Sequence, residues 1–261
     1  MTKYKSIFNV SNNGIRVVTG AQVLRYHITD NPSQGNVIYI NNQNRPRFSE
    51  KRQLEISQPR IVLQRITGVD SRIRIISTYL DKMMYCANST NYIPKDERIN
   101  MKYLLAILNS TLINFYIKQT STNTNITAKV LNSLPIVIPK NPNIQKLIAE
   151  IVEYVLCLYS SKEQVSKLVS NSTIADYFEK IIDGCVYELY FEDHMKGLEI
   201  NIIDSAKQLI KPISQITLDK EKTDAILDTF MMLKKTNNPI RNRMELFTLR
   251  SPELLKPIIE N

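Results

Sequence analysis

The side chains best suited to chemistry in this chain are Arg, Lys, Asn and Gln placed in irregular stretches of its first half. Asn41-Asn42-Gln43-Asn44-Arg45-Pro46-Arg47 has no apolar periodicity and must be exposed, and Lys51 and Arg52 follow it closely. Arg60, Gln64 and Arg65 lie in one alternating run, and Asn88, Ser89 and Asn91 in a polar run after Cys86. Lys118, Thr120, Asn123, Asn125 and Lys129 sit in and beside the polar segment Gln119–Asn125. Two kinds of contact suit such a set. Lys and Arg neutralise phosphates and release counterions. Arg, Asn and Gln offer the paired donors and acceptors that match base edges. Any one of these residues could equally be a solvated loop side chain, so the argument rests on the group.

Charge distribution points the same way. The net charge of +9 is unevenly spread. Residues 1–140 hold 19 Lys and Arg against 7 Asp and Glu, and residues 141–261 hold 15 against 18. All the excess positive charge lies in the first half, which favours a polyanionic partner there.

Composition narrows the remaining classes. A 43% apolar fraction over 261 residues is enough for one large core or two smaller ones. The apolar runs are too short to span a bilayer, and Met1-Thr2-Lys3-Tyr4-Lys5 opens no signal peptide, so a cytoplasmic location is expected. Cys86, Cys157 and Cys185 are dispersed and His27 and His194 isolated, which argues against a disulfide framework and against any metal site. No Walker loop, nucleophile elbow or paired-acid nuclease arrangement occurs, and Asp70, Asp81, Asp96 and Glu97 are scattered.

The elements that must position these residues follow from periodicity. Tyr4–Asn9 and Ile15–Val18 are expected as strands joined through an Asn12-Asn13-Gly14 turn. A short helix is expected over Ala21–Tyr26 with Thr19 as cap, a strand over Asn36–Ile40, and a helix from Ser49 to Ile56. Pro59–Ile66, Arg72–Thr78 and Met83–Ala87 alternate as strands of an antiparallel or mixed sheet. Arg60, Gln64, Arg72 and Arg74 are then expected on the sheet's one polar, cationic surface. Leu104, Ile107, Leu108, Leu112, Phe115 and Tyr116 mark one helix over 100–118. A polar loop, a short helix at Ile126–Leu131 and an edge strand at Leu134–Pro139 complete this part. Beyond it, a long apolar stripe runs from Ile144 to Leu168. Helices are expected at Ser172–Leu189, Asn201–Ile210, Thr217–Lys235 and Pro239–Phe247. The expected fold class is α+β: a mixed-sheet α/β module over 1–139, then an all-helical module over 140–261.

Leu104-Leu105-Ala106-Ile107-Leu108-Asn109-Ser110, Asn114-Phe115-Tyr116 and Leu134-Pro135-Ile136-Val137-Ile138-Pro139 together resemble the TaqI-like C-terminal specificity domain. That is the target-recognition module of type IIG and related adenine-specific DNA methyltransferases. Pro59–Ile66, Tyr85–Asn91 and Phe178–Phe191 extend the resemblance. Gly20-Ala21-Gln22-Val23-Leu24-Arg25-Tyr26 resembles the element that opens the module, which adds Arg25 to the candidate set. The resemblance implies double-stranded DNA as partner and recognition of one sequence for a restriction–modification or phage-defence system.

Catalysis in such systems needs a glycine-rich turn for S-adenosylmethionine. It also needs an Asp/Asn-Pro-Pro-aromatic loop that grips a flipped adenine. The six glycines are never clustered, and Asn141-Pro142 and Asn238-Pro239 lack the second proline and the aromatic. The chain is therefore expected to be no enzyme by itself and to carry no cofactor. S-adenosylmethionine is expected in a separate methyltransferase domain or subunit. The rival expectation is a helical interaction protein whose basic half binds RNA or an acidic protein.

Overall fold

The computed structural model describes residues 6–68 and 71–261, so Tyr4 and Lys5 of the first expected strand, and Asp70, lie outside the described residues. The fold is α+β, and the chain divides into two compact units. The first is Met1–Met101 with Ile117–Leu134, and the second is Lys102–Tyr116 with Pro135–Asn261. Residues 102–116 thus pack with the helical part rather than with the sheets that precede them in sequence.

The first unit is built on short strands: β1 Phe8–Asn9, β2 Ile15–Val18, β3 Val23–Leu24, β4 His27–Ile28 and β5 Ile38–Ile40. Helix α1 Glu50–Ser57 comes next, then β6 Arg60–Gln64, β7 Ser77–Leu80, β8 Tyr85–Cys86 and β9 Thr90–Pro94. A four-stranded sheet has the order β1-β5-β2-β8, with β2 and β8 parallel; a three-stranded antiparallel sheet has the order β7-β6-β9. Adjacent residues of a strand face opposite ways. Val17 and Tyr85 therefore enter a core with Ile40, Phe48 and Ile56. Val18 and Cys86 enter another with Val23, Val62 and Leu80. The first core is closed by α1 and the turn before it, the second by β6 and β7.

Several expectations change here. β1 and β2 do not form a hairpin, because β5 lies between them and pairs with both. Gly14 is needed for a different reason: its φ is +128°, and a Cβ there would lie 2.2 Å from the Ile40 carbonyl oxygen. Ala21–Tyr26 is not a helix. One 3-10 turn, Gly20–Gln22, leads into the β3–β4 hairpin, whose two-residue loop is Arg25–Tyr26. Tyr26 takes a left-handed φ of 63° there and is buried. The strand expected over Arg72–Thr78 starts only at Ser77, and β9 is a strand where no element was expected.

The second unit is helical. The helix expected over 100–118 is broken into α2 Met101–Asn109 and α3 Thr111–Thr120. The break is local chemistry: Ser110 Oγ donates to the Ile107 carbonyl at 2.7 Å and accepts from Ile113 N–H at 3.3 Å. Helix α4, Ala128–Asn132, belongs to the first unit and is capped by Thr127, whose hydroxyl accepts from Val130 N–H. Leu134–Pro139 is not a strand. Its prolines remove ladder donors, and its carbonyls are taken by side chains instead: Tyr190 donates to Pro135 at 2.5 Å and Tyr103 to Val137 at 2.6 Å.

The helices α5 Pro142–Ser160 and α6 Asn171–Tyr190 form the centre of this unit, with Tyr154 and Phe178 edge to face at 5.1 Å. The stripe from Ile144 does not reach Leu168; α5 ends at Ser160 and Leu168 is 95% exposed. Short helices α7 Glu192–Gly197 and α8 Ile203–Leu209 follow, then α9 Asp219–Leu233, α10 Pro239–Glu245, α11 Phe247–Arg250 and α12 Leu255–Glu260. Ile202 and Phe247 pack closely over Gly184 of α6: a Cβ there would lie 2.6 Å from Ile202 Cδ1 and 3.1 Å from the Phe247 ring. Among the described residues no helix is long and apolar enough to cross a membrane.

Candidate nucleic-acid interface

The excess charge belongs to the first unit, which holds 17 Lys and Arg against 7 Asp and Glu, while the second holds 17 against 18. Within it, β6 positions the densest group of candidates. At the end of β6 the chain continues as an extended segment with partners on both sides. Arg65 N–H donates to the Ser89 carbonyl at 3.0 Å, and the Arg65 carbonyl accepts from Ile126 N–H at 2.8 Å. Thr67 N–H donates to the Thr124 carbonyl at 3.0 Å, and Ile66 bridges Asn125 in antiparallel sense. Four segments remote in sequence therefore meet: residues 19–20, 64–67, 87–91 and 121–126.

Exposed polar side chains crown this meeting point. Arg65, Asn88, Ser89 and Asn123 are exposed, and Asn91 and Asn125 are half-buried. Arg65 Nη1 donates to the Asn88 carbonyl at 3.4 Å, which lays the guanidinium along the 88–89 turn. Ser89 Oγ accepts from Gly20 N–H at 2.9 Å, and a Cβ on Gly20 would lie 2.7 Å from the Ser89 carbonyl oxygen. Glycine is required there for close backbone approach. Asn91 donates its side-chain amide to the Ile126 carbonyl and Gln64 donates its own to Val23 at 2.8 Å, so both help to build the ledge.

A second group lies on α1 and the turn before it. Asn42–Arg47 is a 3-10 helix rather than irregular chain, capped by Asn41, whose Oδ1 accepts from Gln43 N–H at 3.0 Å. Arg45 is half-buried and donates to Gln53 Oε1 at 3.1 Å, whereas Arg47 and Lys51 are exposed. Arg52 donates to the Cys86 carbonyl at 3.1 Å and lies over the Tyr92 ring at 5.8 Å. Arg25 sits half-buried at the β3–β4 turn, its guanidinium 5.9 Å from the Tyr26 ring. Lys118 and Thr120 end α3, and Lys129 is exposed on α4. Among the described residues no carboxylate pairs with Arg47, Lys51, Arg65 or Lys129.

Two cations expected on the surface are not there. Arg60 is 2% exposed, and its guanidinium donates to the carbonyls of Ile56, Gln58 and Met84. It ties β6 to α1 and to the segment before β8 and is withdrawn from the candidate set. Arg74 is fully buried and donates to Ser121 at 3.1 Å and Asn123 at 2.6 Å, while its own carbonyl accepts from Thr67 Oγ at 3.0 Å. Burying a guanidinium is tolerable when carbonyl oxygens receive its donors. Arg74 thereby fixes the polar loop that carries Asn123 and Asn125. Alternation alone assigned it to a cationic face; the one sequence hint against that is that isoleucines flank it on both sides, in Ile73-Arg74-Ile75-Ile76.

No group of three potential metal-binding side chains occurs among the described residues. Cys86 and Cys185 are buried and Cys157 is half-buried, and burial raises the thiol pKa of Cys157 and Cys185. These are packing residues, not nucleophiles.

Residues 15–136 match the family model of the TaqI-like C-terminal specificity domain. A protein of Methanocaldococcus jannaschii named as a putative type II restriction enzyme and methyltransferase is 31% identical over 173 residues, which is 64% of this chain and 14% of that protein. Among solved structures, the type IIL restriction-modification enzyme MmeI, determined in complex with DNA, aligns with a TM-score of 0.46 at 14% identity over 88% of this chain and 31% of that one. The chain spans a small share of each of these relatives. Every candidate from Arg25 to Lys129 lies inside the span that matches the model of the TaqI-like C-terminal specificity domain.

Proposed function

We propose that this chain recognises a specific sequence in double-stranded DNA on behalf of an adenine-N6 methyltransferase of a restriction–modification or phage-defence system. The observation that carries the reading is the meeting of Arg65, Asn88, Ser89 and Asn125 on backbone-bonded segments within the most cationic unit. Arg65 and the exposed Arg47, Lys51 and Lys129 supply phosphate contacts, and Asn88, Asn123 and Asn125 supply base-edge donors and acceptors. Recognition is the work of residues 1–139, with residues 140–261 as a helical support. Methyl transfer falls to a separate domain or subunit that binds S-adenosylmethionine and flips the adenine. The chain by itself transfers no methyl group.

Binding of the whole chain to fluorescent duplex DNA tests this, with single-stranded RNA as competitor. Duplex binding should weaken steeply with salt, and one short sequence should be preferred. Equal affinity for RNA and for duplexes of every sequence would favour an interaction protein with a merely basic half.

A further inference from the structure

Ile66 is a large apolar side chain, 61% exposed, in the middle of the polar candidate group. Single exposed apolar residues are common and need no explanation. Ile66 differs in how it is held. Its backbone neighbours are bonded on both sides: Arg65 to Ser89 and Ile126, and Thr67 to Thr124. The Ile66–Asn125 bridge is flanked by the bonds Thr67 N–H to Thr124 and Ile126 N–H to Arg65. That pattern makes Ile66 and Asn125 a non-hydrogen-bonded antiparallel pair, the kind in which the two side chains stand closest on one face. Asn125 N–H donates to Asn123 Oδ1 at 2.9 Å, and among the described residues its side-chain amide makes no hydrogen bond.

An asparagine amide beside a β-branched hydrocarbon, both carried on backbone that is bonded in place, is complementary to one edge of one base pair. In the major groove an A·T pair presents adenine N7 and N6 to an amide, and the thymine 5-methyl group to an apolar contact. Resting on the duplex-recognition reading above, we propose that Asn125 and Ile66 together read a single A·T pair. Asn125 bonds the adenine and Ile66 packs on the thymine methyl. Arg74 is the positioning residue, since its two bonds to Ser121 and Asn123 hold the loop that carries Asn125.

The test uses the whole chain and a randomised duplex pool, with bound DNA sequenced to give a consensus. Each thymine of the consensus is then replaced by deoxyuridine, which deletes only the methyl group. One A·T position should show about a fourfold loss for the unmodified chain. Ile66→Ala should abolish that loss at that position alone. Asn125→Ala should relax preference for the same base pair by about tenfold. Neither should change the melting temperature, because both side chains are partly or largely exposed. Persistence of the uracil penalty in Ile66→Ala, or relaxation of different base pairs by the two substitutions, would overturn the pairing while leaving duplex recognition intact. A pool that yields no consensus would overturn duplex recognition itself, and this inference with it.

Discussion

The Arg74 guanidinium reaches the carbonyl oxygens of both Ser121 and Asn123, the latter at 2.6 Å, although Arg74 is fully buried. The link joins a buried residue before β7 to the loop between α3 and α4, more than 40 positions further along the chain.

Replacing Arg74 by Met should therefore lower stability by about 3 kcal/mol, since hydrogen bonds from a charged group contribute roughly 1.5–3 kcal/mol each. Urea unfolding measures this. The surviving folded protein should bind duplex DNA with the same salt dependence but a weaker sequence preference. Unchanged preference would show that the loop keeps its shape without Arg74.

Arg60 and the pair Arg47 and Lys51 should separate cleanly. Arg60→Met strands three carbonyl acceptors around a 2% exposed site and should cost about 3 kcal/mol without touching a DNA-binding side chain. Arg47→Ala with Lys51→Ala should leave stability within about 0.5 kcal/mol. It should reduce the slope of log affinity against log salt by about 2, one for each phosphate that is no longer neutralised. An unchanged slope would remove α1 and its preceding turn from the interface.

In the helical unit, Asp183 accepts from Thr111 N–H at 2.7 Å and from the Thr111 hydroxyl at 2.6 Å, capping α3 from α6. Asp183→Ala should lower stability by about 2 kcal/mol, at the upper end for helix caps because two donors are stranded. Thermal unfolding reports it, and the consensus selected from a duplex pool should not change.

Glu188 gives a pH signature. It is 4% exposed and accepts from Ile202 N–H at 2.5 Å and Ile203 N–H at 2.7 Å, at the start of α8. Burial raises its pKa, and the two amide bonds oppose that rise without cancelling it. The folded chain therefore holds this proton to higher pH than the unfolded chain does. Its contribution is fully present below the unfolded pKa and is lost as pH rises through the folded value. Glu188→Gln keeps an acceptor but cannot ionise. Its stability should fall less than that of the unmodified chain as pH rises from about 4.3, the ordinary Glu value. Parallel stability curves over that range would contradict this account.

Much of the framework was legible because its signals are local and strong. Ser49 caps α1, the stripe from Ile144 gives α5, and Phe178, Ile181, Ile182 and Cys185 give α6. What failed depended on partners remote in sequence. Periodicity sees Arg60 and Arg74 as polar positions; it cannot see the carbonyls that make burial tolerable. Asn12-Asn13-Gly14 looks like a hairpin turn until β5 inserts between its flanking strands. The helix over 100–118 was read in the right place, but its break needed Ser110 to cap and Asp183 to arrive from α6. The polar candidates at 88–91 and 121–125 were legible as types. That β6 brings them together was not, because β9 and the Ile66–Asn125 bridge carry no short-range pattern.

Quantitative duplex binding across a salt series, followed by selection from a randomised pool, tests the central claim most directly. The account predicts tight duplex binding with a slope set by several phosphate contacts, a smaller slope when Arg65 is replaced by Ala, and a consensus that weakens when Asn88 or Asn125 is replaced by Ala. Salt-sensitive binding with no preferred sequence, equal for RNA and DNA, would contradict it.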